Sequence, residues 1–249
     1  MNESAAAHPY VIQRSVPTLI WGREDGSFHT RISLFNYYSL LVEERPITST
    51  AHLYLFDESG REAAHAVQVL EPLGQWQCAL SSLVDRFQGS IGVQLVPDFL
   101  PPLKHNKYVG TLFFATYWDA KGHADFTHET DRMRYEDDHR LQYEPTVIPS
   151  SPSIDTSVIV QNSYFGADPS QCDKAFHLDI RRSDGTSVFR KSYALEPRAS
   201  VVLHLNELVP NIRHLLGDKP GSVHISGRHI NQPLTWSRHA SGDFNIHHF

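Results

Sequence analysis

Residues 176–185 read Phe-His-Leu-Asp-Ile-Arg-Arg-Ser-Asp-Gly, and this stretch indicates the fold class most directly. Apolar and polar side chains alternate from Phe176 to Arg181, which places one set inward and the other outward on a half-buried strand. Ser183-Asp184-Gly185 then supplies typical hairpin-turn residues. The same two-residue period recurs at 91–95 and 201–206. The sequence therefore predicts short antiparallel strands joined by tight turns.

An internal repeat relates the two halves of the chain. Leu70-Glu71-Pro72 recurs 125 positions later as Leu195-Glu196-Pro197, and His52-Leu53 recurs at the same separation. The separation is 132 positions for Gly89-Ser90-Ile91 and 120 positions near the ends of the two copies. Because the separation falls by 12 between these points, we expect a 12-residue insertion in the first copy, in or near 97–108.

Together these patterns predict an all-β protein of two tandem, duplicated antiparallel β-sandwich domains, immunoglobulin-like or jelly-roll-like in type. The predicted organisation is a leader at 1–26, a first repeat at 27–130, a linker at 131–152 and a second repeat at 153–249. The linker prediction rests on its charged beginning and its prolines. We expect one short helix in each copy, after Leu83 and after Leu208.

A second observation concerns the order of residues along the second copy. That order runs through Asn162, Leu195-Glu196-Pro197-Arg198, Leu205-Asn206-Glu207-Leu208, Ser222-Val223, Pro233, and Arg238 with Ser241. It resembles the small β-sandwich family of the sensory rhodopsin transducer over about 80 residues of each copy. The resemblance implies a non-enzymatic sandwich that oligomerises and works by binding. Members of that family have a single copy, so the fused pair departs from its pattern.

The composition excludes several classes of protein. The 249 residues include 22 Lys+Arg and 28 Asp+Glu, a formal charge of −6, which argues against nucleic acid or an anionic membrane as a partner. No apolar run approaches the ~18 residues of a membrane helix, and the first residues do not resemble a secretory signal. Cys78 and Cys172 are expected to be free thiols, so we predict a cytoplasmic protein.

Histidine is unusually frequent, with 16 residues, and it is the commonest metal ligand. The final hairpin of each copy contains Asp-Phe followed shortly by histidine. A divalent metal such as zinc or iron would need three or four ligands there. The candidate ligands are His123, Asp125 and His128 in the first copy, and His239, Asp243 and His248 in the second. The alternative is a solvated edge strand without a cofactor.

Aromatic and amide side chains are the candidates for a binding surface, because rings supply apolar area and amides supply directional hydrogen bonds. They are Tyr117, Trp118, Trp236, Arg238, Asn36 and Asn162. The alternative is that the rings belong to the core and the amides satisfy backbone groups. Arg181-Arg182 and Arg190-Lys191 form a basic cluster that either recognises an anion or is a solvated face.

Known catalytic motifs are absent from the sequence, which favours a protein that is not an enzyme. We therefore expect a non-catalytic binding or assembly protein of two fused sandwiches, which self-associates and binds a protein or a small ligand such as a sugar. One alternative is a metal-dependent enzyme that uses the hairpin histidines. A second alternative is a carbohydrate-binding module.

Overall fold

The computed structural model describes residues 17–41, 46–99, 111–128, 141–166 and 168–248, and for 41 and 141–146 it describes the backbone alone. Most of the predicted insertion near 97–108 lies outside these residues. The described elements are nearly all strands, so the predicted all-β class is confirmed. No helix in this part of the chain is long and apolar enough to span a membrane.

Eight strands form the first sandwich. They are β1 (Thr18–Glu24), β2 (Phe28–Phe35), β3 (Ser49–Asp57), β4 (Glu62–Leu70), β5 (Gln75–Ala79), β6 (Phe87–Pro97), β7 (Phe113–Asp119) and β8 (Ala124–His128). One sheet has the order β1-β6-β3-β4 and the other has the order β5-β2-β7-β8. A short helix, α1 (Tyr38–Leu41), follows β2, and a 3₁₀ turn at Leu80–Ser82 follows β5.

Eight further strands form the second sandwich. They are β9 (Leu141–Ile148), β10 (Ile154–Gln161), β11 (Ala175–Arg182), β12 (Ser187–Ala194), β13 (Ser200–His204), β14 (Gly221–Gly227), β15 (Leu234–His239) and β16 (Phe244–His248). A 3₁₀ turn spans Pro169–Gln171, and two short helices, α2 (Leu205–Leu208) and α3 (Ile212–Leu216), precede β14. The helix expected after Leu208 is thus present. The helix expected after Leu83 is wrong, because the chain turns there and enters β6 at Phe87.

The two sandwiches have the same strand order. The β9-β14-β11-β12 sheet follows the order of β1-β6-β3-β4, and β13-β10-β15-β16 follows that of β5-β2-β7-β8. Every pairing among these strands is antiparallel. Strands at equal places in the two halves can therefore be compared residue by residue.

Two strands lie in stretches that the sequence analysis assigned to the leader and the linker. β1 pairs with β6 along its whole length, from Thr18 opposite Val93 to Glu24 opposite Phe87. β9 pairs with β14 in the same way in the second half. β1 was missed because it is buried on both faces, with Leu19, Ile20 and Trp21 all fully buried, and it has no alternation.

The second sandwich packs the outer face of its β13-β10-β15-β16 sheet against the first sandwich. The apolar core of the first sandwich continues into the residues Ile159, Leu234, Trp236, Phe244 and Ile246 of the second. The Trp236 ring lies 5.6 Å from that of Trp21 and 5.5 Å from that of Phe28. The Gln161 amide also donates to the Ser90 hydroxyl over 2.9 Å in a buried position. The core of the first sandwich therefore extends across the contact, while the second sandwich keeps a core of its own.

The hairpin between β3 and β4 also contacts the second sandwich. The backbone N–H of Ser200 donates to the carbonyl of Glu58. Gly60 is buried at a φ of +83°, and a Cβ there would clash with the Pro197 carbonyl oxygen. Gly185 occupies the same place in the second hairpin at a φ of +85°, with no atom within 4 Å of the position of a Cβ.

This pair of glycines gives a test of the packing between the sandwiches. Gly185→Ala should cost about 1–2 kcal/mol of unfolding free energy, because alanine resists a positive φ. Gly60→Ala should cost about 1–3 kcal/mol more, because its methyl group also displaces Pro197. Urea denaturation of the two variants measures the difference. Equal destabilisation would contradict the packing described here.

Candidate functional site

Two of the predicted binding aromatics belong to the core. Tyr117 is fully buried, and its hydroxyl donates to the Trp21 carbonyl over 2.8 Å. Burial raises the pKa of the Tyr117 hydroxyl, and the nearby Asp125 carboxylate raises it further. Trp236 is also buried, between the two sandwiches. Neither ring offers a surface to a ligand.

Trp118 and Arg238 do reach the surface, at places 120 residues apart. Trp118 is half-buried on β7 and stacks on the His29 ring at 5.3 Å. Arg238 on β15 lies over the Trp236 ring and forms an ion pair with Asp155 at 2.9 Å. Each side chain is thus engaged with neighbours on its own sheet.

Asn36 and Asn162 are buried and bind backbone groups. The Asn36 amide donates to the carbonyl of Leu70 at 3.2 Å, and the Asn162 amide donates to the carbonyl of Leu195 at 2.8 Å. Both asparagines therefore tie the end of one strand to the Leu-Glu-Pro turn of their sandwich. This bond explains why asparagine and Leu-Glu-Pro recur together in the repeat. The expected ligand-binding role of Asn36 and Asn162 has no support here, because burial removes both amides from solvent.

The final hairpins of the two sandwiches lie side by side. His128 Nε2 is 3.0 Å from His248 Nε2, and His123 Nε2 is 3.2 Å from Asp243 Oδ1. Between these contacts, the Asp125 carboxylate accepts a hydrogen bond from the Ile246 backbone N–H over 2.6 Å. Five of the six predicted metal ligands therefore take part in contacts between the hairpins.

These contacts are spread along the strands. His123 and Asp243 meet at one end of the two hairpins, and His128 and His248 meet at the other. His239 lies on β15, opposite Ile154. Within the described ranges, no group of three or more His, Cys, Asp or Glu side chains is placed to hold a metal ion. The described contacts thus give no support to a zinc or iron site.

His123 instead joins two carboxylates. Its Nδ1 lies 2.9 Å from Asp119 Oδ2, within the β7–β8 hairpin. Partial desolvation raises the pKa of Asp119, but hydrogen bonds from the His123 ring and from backbone N–H groups outweigh it and hold the pKa below the usual value. Asp119 therefore stays ionised and orients the His123 ring towards Asp243.

The sequence did not predict one exposed apolar surface, which we call the aromatic face. It consists of Leu112, Phe114 and Phe126 on the outer side of the β5-β2-β7-β8 sheet, exposed by 40%, 45% and 64%. The two phenylalanine rings contact each other edge to face at 6.2 Å. The sequence signal was the pair Phe113-Phe114, which puts large rings on both sides of one strand.

The corresponding face of the second sandwich is covered. Leu234 and Ile246 stand 120 positions after Phe114 and Phe126, at matching places on β15 and β16. Both are fully buried, in the core that extends across from the first sandwich. The same side of the same sheet is therefore a docking surface in one half of the chain and an exposed apolar surface in the other.

No known protein family matches the chain, no curated protein matches it, and no solved structure matches it. The resemblance to the sensory rhodopsin transducer family stays a prediction from the sequence.

The buried amides can be tested by substitution. Asn36→Ala and Asn162→Ala should each lower the free energy of unfolding by about 2–3 kcal/mol, because each leaves buried backbone groups without their hydrogen-bond partner. Asn245→Ala on the exposed side of β16 is the control and should change it by less than about 0.5 kcal/mol. Urea denaturation measures all three. A loss at Asn36 or Asn162 as small as that of the control would refute the structural role.

Proposed function

We propose that the protein is a non-catalytic assembly module of two fused β-sandwiches, which associates with a second copy of itself through the aromatic face. The proposal rests on one observation. The side of the sheet that holds the second sandwich on the first is exposed in the first sandwich and still carries large apolar side chains.

The exposure of this face has an energetic consequence. Burying a phenylalanine side chain stabilises a complex by about 1.5–3 kcal/mol. Phe114 and Phe126 lie next to each other, and apolar patches of this kind mark association surfaces on soluble proteins. Aromatic side chains are also enriched in the centres of interfaces. Among the described residues, none covers these two rings.

We expect a second copy of the chain to cover the aromatic face. In the second sandwich, the matching face with Leu234 and Ile246 is covered by apolar side chains of another sandwich. The side of the first sandwich at Trp21 and Phe28 is already covered by Trp236. The second sandwich has the same strand order, so its matching side is the surface that a second copy would offer to the aromatic face. The contact can close as a two-fold dimer or continue from chain to chain.

The alternative functions have less support. Of the three aromatic residues expected to form a sugar platform, only Trp118 reaches the surface. The hairpin histidines expected to serve a metal enzyme contact one another or carboxylates in pairs. A binding and assembly role needs neither arrangement.

Analytical ultracentrifugation tests the proposal. The wild-type protein should sediment as a dimer or a larger species. The double variant Phe114→Thr/Phe126→Thr should be monomeric, with association weakened by about 100-fold or more, because two buried rings are lost. Threonine suits a strand, so the fold should be kept, and circular dichroism checks this.

The control is Val69→Thr, which removes an exposed apolar side chain from β4, at the edge of the other sheet of the first sandwich. This variant should associate like the wild type. A monomeric wild-type protein at every concentration would overturn the proposal. Unchanged association of the double variant would also overturn it, because another surface would then be responsible.

A further inference from the structure

The outer side of the β11-β12-β14 strands carries a regular array of polar side chains. His177 stands opposite Ser192 and Ser226, and Asp179 stands opposite Arg190 and His224. Arg181 follows on the same side of β11. These residues line a depression of about 510 Å³ on the surface of the second sandwich. We call it the arginine depression.

Asp179 holds the two arginines of the depression. Arg181 donates to Asp179 Oδ2 from Nε over 2.7 Å, and an Nη of Arg190 lies 3.2 Å from the same oxygen. The Ser187 hydroxyl donates to Oδ1 over 2.6 Å. Desolvation raises the pKa of Asp179, but the hydrogen bonds from Ser187, Arg190 and Arg181 outweigh it and lower the pKa overall. The carboxylate is therefore fully engaged.

Both arginines keep donors for a ligand. Arg181 places its Nε and one Nη within 2.7 Å of Asp179 Oδ2, which leaves its other Nη. Arg190 is 70% exposed and uses one Nη on Asp179, and within the described part of the chain its Nε and its other Nη make no hydrogen bond. His177 Nδ1 lies 2.8 Å from the Ser192 hydroxyl, so this bond orients the ring. Two guanidinium groups face one carboxylate, which leaves one positive charge in excess even with neutral histidines.

The other two members of the basic cluster noted in the sequence make different contacts. Lys191 stands on the other side of β12, with its ammonium group 4.9 Å from the centre of the Tyr193 ring. Arg182 donates to the Leu215 carbonyl over 2.7 Å. Of the four, Arg181 and Arg190 therefore form the pair that Asp179 holds, Lys191 borders the same depression, and Arg182 lies outside it.

The first sandwich shows that the fold does not require these charges. At matching places on β3, β4 and β6, His52 stands opposite Val67 and Gln94, and Tyr54 stands opposite His65 and Gly92. Tyr54 and His65 stack there at 4.3 Å. A sheet of the same order and pairing is thus stable without the arginines and the carboxylate that orients them.

We propose that the arginine depression binds a small phosphorylated ligand, with Arg181, Arg190 and His177 as donors to its phosphoryl oxygens. Guanidinium groups bind phosphoryl oxygens through charge-assisted hydrogen bonds. Donors that rise from two neighbouring strands approach a ligand from different directions. A tetrahedral phosphoryl group meets them with several oxygens, whereas a planar carboxylate offers two in one plane.

Isothermal titration calorimetry with pyrophosphate tests this site, with citrate at matched ionic strength as the carboxylate probe. The wild type should bind pyrophosphate more tightly than citrate. Arg190→Gln should weaken pyrophosphate binding by about tenfold or more, because one charged donor is lost. Arg181→Gln should have a similar effect. Thermal unfolding shows whether each variant is folded.

Arg61→Gln is the matched control. Arg61 is also exposed, and it also lies 3.2 Å from an aspartate oxygen, that of Asp57, in the first sandwich. This variant changes the net charge equally and should bind pyrophosphate like the wild type. No binding by the wild type would overturn the proposal. Equal weakening by Arg61→Gln and Arg190→Gln would overturn it too, because binding would then follow net charge alone. Tighter binding of citrate than of pyrophosphate would overturn it as well, because the site would then prefer carboxylates.

Discussion

The packing of Trp236 between Trp21 and Phe28 is the interaction on which the arrangement of the chain depends. Trp236 lies on the outer side of its sheet, where an antiparallel sheet commonly meets water. Here that side is buried, because Trp21 and Phe28 at the side of the first sandwich lie against it. The meeting of the two final hairpins, and of His128 with His248, follows from this contact. The aromatic face remains exposed because, of the two matching sheets, only that of the second sandwich takes part in this contact.

The residues that occupy the same places in both sandwiches have structural roles. Asn36 and Asn162 each bind the carbonyl of the leucine that begins a Leu-Glu-Pro turn. The hairpin glycines at 60 and 185 each adopt a positive φ that other residues resist. A pattern retained in both halves therefore reports what a sandwich of this kind needs in order to fold. Function is better sought where matching positions carry different side chains.

The sequence predicted the fold well where one side of a strand is buried. The alternation at 176–181 and the turn after it correspond to β11 and its hairpin. Prediction failed where that signal is absent. β1 is buried on both sides, and β9 contains Pro145, a residue that argues against a strand. The site was harder to predict, because a sequence does not show which sheet face another sandwich will cover. Tyr117 and Trp236 were candidates for a surface for this reason.

The two halves of the chain differ most clearly in the side chains on their matching sheet faces. On the β7–β8 side, Phe114 and Phe126 are exposed, while Leu234 and Ile246 at the matching places are buried. On the opposite sheet, His65 and Tyr54 form an aromatic stack where the second sandwich has Arg190 and Asp179. Neither difference is needed for pairing, because the strand order is the same in both halves. An exposed apolar face raises the cost of solvation, and an aspartate held between arginines loses part of its hydration. The exposed face therefore works against the stability of the isolated chain, and a contact with a second copy would offset it. The hydrogen bonds to Asp179 outweigh its loss of hydration, and the positive charge that the two arginines leave in excess is what an anion would neutralise.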